Sequence, residues 1–223
     1  LAFETAARNA ILMDYDTGEY LFEKNIDESV PPASMSKLMT VYVLMSKIKD
    51  GSIKLDDTFS VSENAWRKGG AATGGSTMFL SIGDNVSVEN LIKGIVIQSG
   101  NDACIVVAEN LAGSEEDFVV LMNKTAKKLG LKNSHFENAT GLPHPDHRMS
   151  MEDLAILARH IIKEFPELYH YFSQKEFVYN NIKQGNRNPL LYTMKGADGL
   201  KTGHTEEAGF CLAASATKGE RRL

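Results

Sequence analysis

Cysteine is nearly missing from this chain: there are two in 223 residues, Cys104 and Cys211. So sparse a pair does not staple a chain of this length. Both are expected as buried free thiols that say nothing about the redox compartment. Long apolar runs are missing too, and no stretch reaches the roughly 18 residues that a membrane-spanning helix requires. There is no run of Lys or Arg, and the formal net charge of −5 weighs against a nucleic-acid surface. Internal repeats and low-complexity segments are also absent. What is left is the composition of an ordinary globular protein, 43% hydrophobic and 24% charged. The length allows one large domain or two small ones around a substantial core.

Residues 10–24, AILMDYDTGEYLFEK, place two apolar runs around Asp16-Thr17-Gly18 and predict a β-hairpin. Pro31 and Pro32 then require extended backbone. From Ser34 to about Ile48, apolar residues such as Met35, Leu38, Val41, Leu44 and Met45 cover almost every face of a helix, which makes it central and buried. Lys47, Lys49 and Gly51 suit its C-terminus. Further helices are predicted over 86–97, 102–111, 115–129 and 150–164, the last opening with Ser150 and Asp153 in capping-box-like positions. The small-residue segment 67–77, RKGGAATGGST, is expected as a flexible surface loop, and ENATGLPHPDHR as another loop. Strand character returns in GADGLKTGHT and GFCLAASAT. The order strands, helices, strands predicts an α/β fold whose antiparallel sheet is assembled from both chain ends and flanked by helices. The sheet lobe takes about 1–50 and 175–223, and an inserted helical lobe takes about 51–174.

Three short motifs carry chemistry. In PPASMSKLMT, Ser34 and Lys37 are three apart, so they share a helix face and the amine can reach the hydroxyl. Serine is a poor nucleophile until a base takes its proton. Lysine becomes such a base when burial or a neighbouring cation lowers its pKa. Taken alone, the pair also reads as a Ser N-cap followed by a snorkelling Lys. In Ser99-Gly100-Asn101, between two predicted helices, a hydroxyl can relay a proton and an amide can hold a carbonyl; the plain reading is a turn with Asp102 capping the next helix. In Lys201-Thr202-Gly203 a Lys stands beside a Gly at the head of the final strands, where substrate backbone can lie close.

Together, S-x-x-K, S-x-N and K-T-G in this order resemble the penicillin-recognising serine enzymes. The wording PPASMSKLMT, SGNDA and DGLKTGHT resembles the low-molecular-mass D-alanyl-D-alanine carboxypeptidases over essentially the whole chain. That resemblance implies the β-lactamase/DD-peptidase-like fold and a serine peptidase that needs no cofactor. It implies an acyl-enzyme on Ser34 with Lys37 as general base. Ser99 would pass the proton to the leaving D-alanine, and Asn101 would orient substrate and Lys37. Lys201 would stabilise charge, Thr202 would bind the substrate carboxylate beside Gly203, and the N–H groups of Ser34 and His204 would form the oxyanion hole. Arg187 in GNRNPLL matches an Arg near the carboxylate pocket. His147 falls where the family has a His near the site, and equally suits a structural loop histidine. His144 and His147 raise the question of a metal, but with no further ligands apparent none is expected.

The resemblance further implies a peptidoglycan stem peptide as substrate, β-lactams as covalent inhibitors, no nucleic acid, and a periplasmic or extracytoplasmic place in the bacterial envelope. Relatives continue into another strand and a packed helix, and often an anchor. A C-terminal truncation is therefore expected, with membrane attachment carried only by a region beyond Leu223, and with self-association through an uncovered edge of 209–216. Two other classes are weighed: a class A-like β-lactamase and a non-catalytic wall-binding module. The first needs a loop Glu-x-x-x-Asn between the second and third motifs, but Glu137 is followed four residues on by Gly141. The second would be expected to have lost a catalytic residue, and all three motifs are intact.

Overall fold

The computed structural model describes residues 3–223. Strands β1 (Ala10–Met13) and β2 (Tyr20–Lys24) form the predicted antiparallel hairpin. Its turn is set by Asp14, whose Oδ1 accepts the N–H groups of Asp16 and Thr17, and by Gly18 at φ +76°. Helix α1 (Lys37–Lys49) is buried from Lys37 to Met45, as its all-round apolar sequence demands. Ser34 lies ahead of it, in a 3-10 turn over Ala33–Ser36. That turn is tighter than the continuous helix the periodicity predicts, and with three residues per turn it eclipses positions 34 and 37.

A short antiparallel pair, β3 (Thr58–Ser60) and β4 (Asn85–Ser87), brackets the segment that holds α2 (Glu63–Gly69). Helices α3 (Val88–Val96), α4 (Asn101–Ala112) and α5 (Glu115–Leu129) follow. Ser62, Ser87 and Ser114 cap α2, α3 and α5 by accepting the third backbone N–H of each. The segment 67–77 departs from its reading as a flexible loop. Residues 67–69 complete α2, and the bare Cα of Gly69 lies so close to α4 that a β-carbon would stand 2.4 Å from Asp102 N. Here glycine serves close packing rather than mobility.

Helix α6 (Met151–Glu164) is capped by Ser150, which accepts Asp153 N–H. Asp153 does not close a capping box; it accepts from Asn133 N and Ser134 Oγ. Although α6 falls within the expected helical lobe, it packs on β1 and β8. Strands β5 (Glu176–Tyr179) and β6 (Ile182–Gly185) form a hairpin that leans the other way, onto 77–79 and Gln98. After the one-turn α7 (Leu190–Thr193), strands β7 (Ala197–Thr205), β8 (Gly209–Lys218) and β9 (Arg221–Arg222) make a three-stranded antiparallel sheet in the order β7-β8-β9.

The two chain ends meet where Tyr15 N–H donates to Arg222 O and Arg221 pairs with Asp14. Arg222 also makes a forked pair with Asp198, to which Tyr169 donates its hydroxyl. Beyond its contacts with β9 and Leu223, the edge of β8 over 209–215 pairs with no strand among the described residues. It borders a cleft of about 510 Å³ over α6, and Phe210 on the sheet face is 92% exposed. No helix among the described residues is long and apolar enough to cross a membrane. Both cysteines are free thiols, Cys104 buried and Cys211 half-buried.

Candidate active site

Three elements converge on one point. The 3-10 turn and first residue of α1 supply Ser34 and Lys37, the α3–α4 turn supplies Ser99 and Asn101, and β7 supplies Lys201 to His204. Ser34 is half-buried, open enough to meet a substrate, while Lys37 is 1% exposed. Their Nζ and Oγ are 2.8 Å apart. Burial brings the Lys37 pKa down to about 8; the Arg187 charge adds to the fall, and Cys104 and Asp102 oppose it. Burial thus brings the neutral amine, negligible in water near neutrality, within reach of a slightly alkaline pH.

Ser99 stands in the left-handed region at φ +55°, which turns its hydroxyl toward β7. Lys201 Nζ donates to Ser99 Oγ at 3.0 Å and to Thr202 O at 2.9 Å. Lys201 is buried as well, and desolvation, then the Lys37 charge, hold its pKa well below the ordinary lysine value. Two buried amines in one site cannot both be charged cheaply. Cys104, one turn further along α4, lies near both amines, and burial pushes its thiol up to about 12.

Gly203 earns its place by close approach: a β-carbon on it would stand 2.9 Å from Ser34 N and 3.1 Å from Ala33 Cβ. Strand β7 therefore runs directly against the backbone of Ser34, and no other residue type allows this spacing. His204 alternates to the opposite face, where its exposed ring stacks on Phe210 at 4.2 Å. Thr202 is half-buried between them.

Asn101 is buried at the start of α4, with its side-chain nitrogen beside Gly75 and its N–H donating to Ser76 O at 2.9 Å. Among the described residues no hydrogen bond joins its amide to Lys37, whose bond is to Ser34. Arg187 donates to Ser76 Oγ at 2.7 Å, so Ser76 links it to Asn101. Asp102 does not cap α4, because Gly100 holds that position. Completely buried, it accepts from Thr77 Oγ1, Met78 N, Leu80 N and Ala103 N, and so ties the 77–80 segment to the second motif. Neither Asp102's role nor Ser76 is visible in the sequence, since both depend on a segment more than twenty residues away in the chain.

The structure brings Glu137 and Asp146 to His144, with ligand atoms within 4.8 Å of one another, partners that sequence spacing does not reveal. All three are exposed, and His144 Nδ1 already accepts Asp146 N–H, as in a solvated turn. His147 does not join them.

Comparison with known proteins identifies the family. A family model described as D-alanyl-D-alanine carboxypeptidase matches residues 2–223. The D-alanyl-D-alanine carboxypeptidase DacC of Escherichia coli is 49% identical over 97% of this chain and 55% of its own length. DacD of the same organism is 48% identical over 99% of this chain and 57% of its own. Among solved structures, penicillin binding protein 5 from Haemophilus influenzae aligns at a TM-score of 0.95 with 40% identity, covering 100% of this chain and 65% of that one. The chain spans about half the length of the curated relatives it matches.

Proposed function

The chain belongs to the D-alanyl-D-alanine carboxypeptidase family, and on that premise we propose that it removes the terminal D-alanine of peptidoglycan stem peptides through an acyl-enzyme on Ser34. The observation that carries the proposal is the 2.8 Å approach of Ser34 Oγ to a fully buried Lys37. In its neutral form Lys37 accepts the Ser34 proton as Oγ attacks the carbonyl of the penultimate D-alanine. Negative charge develops on that carbonyl oxygen, and the N–H of Ser34, with β7 lying directly against it, is available to stabilise it together with that of His204. The Ser99 hydroxyl, held by Lys201 at 3.0 Å, gives its proton to the departing D-alanine nitrogen and takes in exchange the one that Lys37 accepted from Ser34, so that both side chains end as they began. Water then hydrolyses the ester. The substrate's terminal carboxylate lies toward Thr202, Arg187 and Lys201. A β-lactam acylates the same serine, but its leaving group stays tethered. Stem peptides are envelope components, so the reaction is placed on the extracytoplasmic side of the bacterial membrane.

The test is to incubate the protein with a peptide ending in D-Ala-D-Ala and measure free D-alanine. No release above that of a Ser34→Ala control would overturn the proposal. A second expectation separates the two lysines. Lys37→Ala should suppress acylation by every substrate, whereas Lys201→Ala should weaken reagents that bear the carboxylate most. Equal losses on carboxylate-bearing and carboxylate-free esters would show that the division of labour is wrong.

A further inference from the structure

Ala33, the residue before the nucleophile, stands at φ +50°, a backbone state that a residue with a β-carbon seldom holds unaided. Its carbonyl accepts from Ser36 Oγ at 3.2 Å, and the Ser36 side chain is fully buried. His147 Nε2 lies 2.9 Å from that same Oγ. The direction of this chain is fixed at its far end, because His147 Nδ1 accepts Glu137 N–H at 3.0 Å. The imidazole proton must then sit on Nε2 and point at Ser36, which leaves the Ser36 hydrogen for Ala33 O.

Two further contacts hold the loop that carries His147 against the turn. Gly141, at φ +85°, lies so close that a β-carbon would stand 2.1 Å from Ala33 O. Thr40 of α1 donates to Ala139 O at 2.7 Å. On the other side, Gly203 of β7 presses on Ala33 and Ser34. The residues whose backbone must present an N–H to the oxyanion are thus gripped between a loop and a strand.

We propose that His147, acting through Ser36, is a positioning residue that holds Ala33 in its left-handed state and so aims the N–H and Oγ of Ser34. The inference rests on Ser34 being the nucleophile. Burial keeps the imidazole neutral, with its pKa lowered to about 4, so it donates one fixed hydrogen bond and does not compete with Lys37 as a base. The ring packs edge-on against Phe136 at 5.6 Å, which holds it in place.

The experiment compares Ser36→Ala, His147→Phe and His147→Gln with the wild type. It measures the acylation rate constant and the prior noncovalent dissociation constant for a fluorescent penicillin, the affinity for a peptide boronic acid that mimics the tetrahedral intermediate, and the melting temperature. Ser36→Ala and His147→Phe should lower the acylation rate constant by on the order of 100-fold, the cost of a small misplacement of reacting groups. Boronate affinity should fall with it, while the dissociation constant changes little. His147→Gln, which keeps an N–H donor near the Nε2 position, should recover most of the loss. The positioning role is overturned if folded Ser36→Ala acylates at the wild-type rate, if Gln is no better than Phe, or if rate, binding and melting temperature all fall together. Should His147→Phe not fold, Ser36→Ala, which removes one hydroxyl, decides alone. A wild type never acylated at Ser34 would overturn the functional reading and this inference with it; an acylating wild type matched by its variants would overturn the inference only.

Discussion

Alanine in place of Ser34 should give a folded protein that takes up no penicillin at all, where the wild type gains one equivalent on the peptide containing residues 34–37. Ser34 is half-buried and its side chain makes one hydrogen bond among the described residues, with Lys37, so its removal should cost the fold little. Its removal is expected to cost the reaction everything, since among the described residues only Ser34 and Ser99 bond their hydroxyls to a buried amine. Ser99 is the nearest rival, and its partner Lys201 also donates to Thr202 O. Intact-protein mass spectrometry with peptide mapping decides the matter. An adduct on Ser99, or one that persists in Ser34→Ala, would move the nucleophile elsewhere.

The next largest effect is expected at Lys37. A positioned general base contributes about 10²- to 10⁴-fold, and Lys37→Ala should lose most of that from the acylation rate constant. The pH profile gives the sign. Below its pKa of about 8 Lys37 carries a proton and cannot accept the one from Ser34. Wild-type acylation should therefore rise with pH, close to tenfold per unit well below 8, and level off above it. In Lys37→Ala the residual rate should lose that limb. Lys37→Arg should not restore it, because a guanidinium stays charged throughout. A wild-type profile flat from pH 5 to 9 would remove Lys37 from the role of base.

Much of this site is legible in the sequence because its chemistry is local. Ser34 and Lys37 are one turn apart, and the apolar run around them announces the burial that lowers the lysine pKa. The hairpin at 10–24 and the helices at 115–129 and 150–164 follow from periodicity and caps. What does not follow is whatever depends on close packing between distant segments. Gly69 reads as loop flexibility and proves to be a contact with α4. His147 has no partner within reach in sequence, yet it grips Ser36 from 111 residues away. The 3-10 form of 33–36 escapes because apolar periodicity does not distinguish three residues per turn from 3.6 over a single turn.

Asp102 has a consequence for how the molecule opens. Segments rich in small residues, such as the one leading into 77–80, usually fray independently and are the first to be nicked by proteases. This one hangs by three hydrogen bonds from a single buried carboxylate on α4, with Asn101 N–H and Gln184 as further ties to Ser76 O and Thr77 O. Releasing it leaves that carboxylate in the interior with only the Ala103 N–H, a penalty out of proportion to a surface loop. The segment and the start of α4 must therefore open together, as one cooperative unit. Amide exchange at Met78 and Leu80 should therefore be as slow as that of the first turns of α4, from which they hang.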